Sequence, residues 1–287
     1  MPLDSIAEIL ASCSERNLAF WQVVLEADVE ERQVSAEASF EKMRATWRAM
    51  LDSAESYDGG LRSVSGLSGG DGELMRRYAA GGSALGGGYI SEVIATALCV
   101  GESNACMRKV VAAPTAGACG VLPAVLVPLY RRGEREEDIL RALYTAAGIG
   151  AVINSRASIS GAAGGCQAEI GSASAMAAGA LAQLRGGGPE QTANALAMAL
   201  KNLMGLICDP VAGLVEVPCV KRNVIGAVNA VSCADMALAG ITSSIPADEV
   251  IDCMGIVGER LPREFRETAR GGLAATPTGR AAWKQLK

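Results

Sequence analysis

Histidine is absent from all 287 residues. The commonest general base and the commonest metal-binding imidazole are therefore missing. Ser-His-Asp and Cys-His mechanisms cannot be assembled within this chain, and a bound metal must be held by thiolate, carboxylate or backbone. Aromatic residues are scarce, at 4%, and no basic cluster interleaved with them exists. With a formal charge of −5, nucleic acid and anionic membrane are poor partners. No CxxC pair occurs, and no glycine loop is followed by the GK[ST] of a phosphate-binding loop. The longest charge-free run, Val110–Tyr130, is interrupted by Pro114, Pro123, Pro128 and two glycines, so it reads as core and loop rather than a membrane span. The first twenty residues carry Asp4, Glu8 and Glu15 in an amphipathic pattern, unlike a secretory signal.

What is abundant is small. Alanine fills 50 positions and glycine 34, so packing must come from close backbone approach between helices. Nine cysteines without a signal fit a reducing cytoplasm, where thiols stay free or bind metal. The spacing predicts an all-α protein, with an N-terminal helical segment over 1–58 and a larger helical domain over 59–287. Asp4 is expected to cap a first helix carrying Ile6, Ile9, Leu10 and Cys13. A second is expected after Ser35, with Phe40, Met43, Trp47 and Leu51 on one face and DVEERQVS as the connector. Further helical windows fall near 90–101, 119–131, 135–147, 166–184, 189–204, 223–240 and 246–261.

The breaks between these windows hold the unusual chemistry. In GLICDPVAGLVEVPCVKRN (205–223), Cys208 and Cys219 bracket an irregular loop, because a residue before proline is biased away from helix. Cys166 follows GAAGG at the start of a window, where a helix dipole is expected to lower a thiol pKa. Spacing alone leaves open that all are buried cysteines acting as small hydrophobes. Cys13, Cys99, Cys233 and Cys253 fit that reading, and Cys106 and Cys119 are less clear. Elsewhere, Ser68, Gly69, Gly70 and Asp71 form a loop suited to a substrate's amino or carboxylate group, or equally to a helix cap. Thr115 and Gly117 lie in a turn suited to a carboxylate. Asn154, Ser155 and Ser160 fall in the break before Cys166, and Glu169 reads as a first-turn helix stabiliser rather than a base.

Five stretches resemble the α chain of iron–sulfur L-serine dehydratases: SGLSGGD (65–71), APTAGACGVLPAVL (113–126), GGCQAEIGSASAMAAGAL (164–181), the 205–223 stretch, and GGLAATPTG (271–279). The resemblance implies a 4Fe-4S cluster on Cys166, Cys208 and Cys219, with one iron lacking a protein ligand and acting as Lewis acid on L-serine. It also implies amino-acid catabolism without pyridoxal phosphate, in an oligomer. A separate β chain is expected to complete the site and bring the base, because the Ser-His-Thr-Gly-Pro-Met-like motif of the family's β part is missing here. An L-cysteine desulfidase of the same cluster type and a non-catalytic cluster-binding sensor stand as alternatives.

Overall fold

The computed structural model describes residues 4–286, and among them the chain is all-α. Three helices open it: α1 (Ile6–Arg16), α2 (Phe20–Arg32) and α3 (Ala36–Glu55). The expected connector DVEERQVS is largely the last turn of α2, and the cap of α1 is Ser5, whose hydroxyl accepts from Glu8 N at 3.1 Å, rather than Asp4. A second carboxylate also serves this end: Asp248 accepts from Ile6 N at 2.8 Å and Ala7 N at 3.0 Å, so α1 is tied to a helix 242 residues away. Free N–H groups at a helix start make that anchorage favourable.

The remainder runs α4 (Asp71–Ala80), α5 (Gly87–Ala105), α6 (Val121–Arg131), α7 (Glu136–Arg156), α8 (Gly161–Gly164), α9 (Ser172–Leu184), α10 (Pro189–Asn202), α11 (Cys219–Leu238), α12 (Ala247–Arg260) and α13 (Pro277–Gln285). Pro189 stands at the first position of α10, where its missing N–H costs nothing. The axis is α9, SASAMAAGALAQL, buried on every side from Ser172 to Ala182. A helix apolar all round must be central, and α9 packs against α7, α10, α11 and α6. The small side chains permit this crowding: a Cβ at Gly179 would stand 2.3 Å from Ile149 Cδ1 of α7. The N-terminal helices join the same apolar cluster through Ile6, Phe20 and Trp47. Among the described residues no helix is long and apolar enough to cross a membrane.

This packing brings three helix starts together. The turn Ala116–Ala118 leads into α6, a π-helical turn Gln167–Gly171 leads into α9, and Cys219 opens α11. Asn223, in the first turns of α11, locks two of them. Its side chain donates to Gly117 O and Cys219 O and accepts from Gly120 N, at 2.8, 2.9 and 2.8 Å.

Candidate functional site

Cys166, Cys208 and Cys219 stand at this junction on three separate segments, and all nine cysteines are free. Cys166 immediately precedes the π-helical turn, a rare geometry that recurs at functional sites. Gly165, at φ +76, makes the turn into it; a Cβ there would meet Leu206 O at 3.0 Å. Gln167, fully buried, stitches the 205–208 segment to this turn. Its N–H donates to Leu206 O at 2.9 Å and its Oε1 accepts from Gly205 N at 2.8 Å. Cys208 is held from the other side: its N–H donates to Phe265 O, and its carbonyl accepts from Glu267 N. The Val217–Pro218 bond just before Cys219 and the Ala113–Pro114 bond just before Thr115 are both cis.

The thiols interact electrostatically. Burial pushes Cys166 up to about 11, although the charge and hydrogen bond of Arg222 pull the other way. Burial, then the neighbouring Cys166 and Glu169, push Cys219 up to about 12. Cys208 is raised by burial and by Cys166, Glu169 and Cys219. The expected depression of Cys166 by a helix dipole is therefore outweighed by desolvation. Among the described residues no three Cys, Asp or Glu side chains close around one point as a single metal ion would require.

A carboxylate lies among the thiols. Glu169 Oε1 accepts from Thr115 Oγ1 at 2.7 Å, and burial raises the Glu169 carboxyl above its ordinary range, with the Thr115 bond opposing. A Cβ on Gly161 would stand 2.5 Å from Glu169 Oε2 and 3.2 Å from Cys208 Sγ, so acid and thiol face the same small space. Gly117 packs on the other oxygen, its Cβ position 3.4 Å from Oε1. Glu169 does lie in a first helical turn, as expected, but it is half-buried and faces Cys208; the sequence signal for this was its place three residues after Cys166, one turn along.

The other expected residues divide. Thr115 and Gly117 border Glu169. Ser68 is buried and its N–H donates to Ser63 Oγ, while Gly69 and Gly70 adopt φ of +128 and +88 in the turn before α4. The first N–H groups of α4 are already occupied: Glu102, buried in α5, accepts from Asp71 N at 2.9 Å and Gly72 N at 3.1 Å. The Asp71 carboxylate pairs with Lys221 at 2.7 Å on the surface. This loop nevertheless adjoins the thiol segments, because Ser63 and Ser65 donate to Glu216, buried three residues before Cys219. Asn154 and Ser155 belong to the last turn of α7 rather than to a break, and Asn154 is exposed. Ser160 precedes α8, and its carbonyl accepts from Gly164 N. Cys253, expected in an apolar face, is exposed.

Sequence reading did not single out Arg222. Its guanidinium donates to Asp209 at 2.9 Å and to Ile207 O at 2.8 Å, on either side of Cys208, and also reaches the Cys166 thiol. Asp209 in turn accepts from Leu273 N at 2.8 Å, which fastens the GGLAATPTG segment.

The family model for the serine dehydratase alpha chain matches residues 15–274. The chain is 46% identical over 283 residues to the probable L-serine dehydratase, alpha chain, of Bacillus subtilis, covering 98% of this chain and 94% of that one. It is 40% identical to the L-serine dehydratase, alpha chain, of Peptoniphilus asaccharolyticus, with 96% of each covered. L-serine dehydratase 1 of Escherichia coli is 37% identical across 95% of this chain and 62% of its own length. Residues 15–274 span all three thiols, Thr115, Glu169 and Arg222, and the chain belongs to the serine dehydratase alpha chain family.

Proposed function

We propose that this chain is the α component of an L-serine dehydratase. In this reading Cys166, Cys208 and Cys219 hold a 4Fe-4S cluster at which L-serine becomes pyruvate and ammonia. The observation that carries the reading is the convergence of three thiols from separate segments beside one half-buried carboxylate. The donor set suits the chemistry of such a cluster, which thiolates hold: three thiols and no imidazole. The starts of α6, α9 and α11 meet there, and their positive ends favour anionic thiolates and a substrate carboxylate. Gly161 leaves open the space between Cys208 Sγ and Glu169 that any side chain would fill.

When bound, the cluster supplies an electrophilic iron that turns the substrate's β-hydroxyl into a competent leaving group. The chain's own residues orient and enclose. Arg222 and Gln167 hold the thiol segments in register, and Thr115 fixes the Glu169 carboxylate. The α-proton needs a base, and the chain lacks histidine, while Asp71 and Lys221 engage each other. The relatives' names carry the words alpha chain, and we assign the base to a separate β chain in a reducing cytoplasm.

The test is anaerobic reconstitution with ferrous iron and sulfide, followed by pyruvate assay with and without a β chain. Cluster absorption is expected in the chain alone. Turnover should rise about 10²–10⁴-fold when β is added, the typical contribution of a positioned base. A colourless protein after reconstitution, or full turnover without any iron, would overturn the reading.

A further inference from the structure

Four carboxylates are buried or enclosed in this part of the molecule, and three of them are well compensated. Glu102 accepts two backbone N–H groups and the Tyr57 hydroxyl; Asp209 has Arg222 and Leu273 N; Glu216 has two serine hydroxyls. Glu169 has the hydroxyl of Thr115, and among the described residues no Lys or Arg pairs with it. An enclosed carboxylate with so little compensation is costly to maintain unless a cation arrives.

Its position says which cation. Glu169 Oε2 and Cys208 Sγ lie within 2.5 and 3.2 Å of one point above Gly161. Acid and thiol therefore face one small space, which suits a compact molecule that carries a leaving group and a positive charge close together. A β-hydroxy α-amino acid does so: its hydroxyl and ammonium sit on adjacent carbons. We propose that Glu169, steadied by Thr115, binds the α-ammonium of the substrate. The site then selects amino acids over hydroxy acids of the same shape, since an uncharged substituent leaves the carboxylate unpaired. This inference rests on the dehydratase reading and names the anchor within it.

The test uses the cluster-loaded chain with its β partner and compares L-serine with 3-hydroxypropanoate, which lacks the amino group. Binding of both is measured by calorimetry, alongside turnover of serine. Glu169→Gln should weaken serine binding about 10- to 100-fold, the scale of one charge-assisted hydrogen bond, and leave 3-hydroxypropanoate unchanged. Thr115→Val should shift serine the same way by less. If Glu169→Gln fails to load the cluster, Glu169→Asp and Thr115→Val carry the comparison, again with serine weakened and the analogue unchanged. Equal weakening of both ligands, or unchanged serine affinity with collapsed kcat, overturns the assignment. A wild-type sample that binds serine but makes no pyruvate would instead fail the dehydratase reading, and the binding comparison would still judge Glu169.

Discussion

Arg222 and Asp209 form an ion pair at 2.9 Å in which the carboxylate side chain is 3% exposed and the guanidinium 15%. The pair sits where α11, the Cys208 loop and the segment around Leu273 meet, and the charge of the same guanidinium acts on Cys166. One arginine therefore braces the segments of all three thiols without any cofactor.

Replacing Arg222 by Met should strand Asp209 and cost about 3–5 kcal/mol, as breaking one side of a buried pair does. Urea unfolding of the cluster-free chain measures this. Asp209→Asn should be destabilising as well, and the double variant should lose much less than the sum. Additive losses would mean the two residues do not act together.

Cys166→Ser, Cys208→Ser and Cys219→Ser should each abolish the visible absorption of the reconstituted protein, while exposed Cys253→Ser leaves it intact. Three variants that keep a full spectrum would refute the ligand set. The loaded wild type should also bleach in air and recover with ferrous iron and reductant.

In the cluster-free protein, Cys166 and Cys219 titrate near 11 and 12, raised from an ordinary value of 9.0. The fold holds these protons more tightly than the unfolded chain does. The associated stabilisation is complete below pH 9.0 and is lost as pH rises through 11 to 12. Melting temperature should fall across that alkaline window. Mass-resolved alkylation near neutrality should mark Cys253 well before either thiol, and equal labelling would contradict their burial.

Gly161→Ala keeps a backbone compatible with α8 yet puts a methyl group 2.5 Å from Glu169 Oε2. The protein should fold, bind serine more weakly, and show a disturbed cluster spectrum. Unchanged serine affinity would mean that the space above Gly161 is not used.

Most helices were legible because alanine-rich windows broken by glycine and proline carry a strong period, and α6, α10 and α12 fall near their expected bounds, whereas α7 runs on to Arg156, past the expected end at 147. The N-terminal connector was misjudged because DVEER carries four charged residues in five, yet it continues α2, which packs on α7. Cys208 and Cys219 stood out through their prolines, Cys166 through the GAAGG before it, and all three through family resemblance. Glu169 and Arg222 did not, because a carboxylate or guanidinium reads as surface until the neighbours that bury it are known. The loop before Asp71 suits, by sequence, a substrate's amino or carboxylate group or a helix cap, and the sequence could not show that Glu102, distant in the chain, accepts from the first N–H groups of α4.

Cys208 is gripped by Phe265 and Glu267, and its neighbour Asp209 by Leu273. During synthesis Cys166 and Cys208 precede those residues in the chain and leave the ribosome before them. The pocket around Cys208 thus stays unfinished until residues 265–273 have been released. On the proposed function, loading of the cluster accordingly follows release of residues 265–273, and a nascent chain stalled before residue 265 would expose unsheltered thiols to whatever oxidant or stray metal it meets.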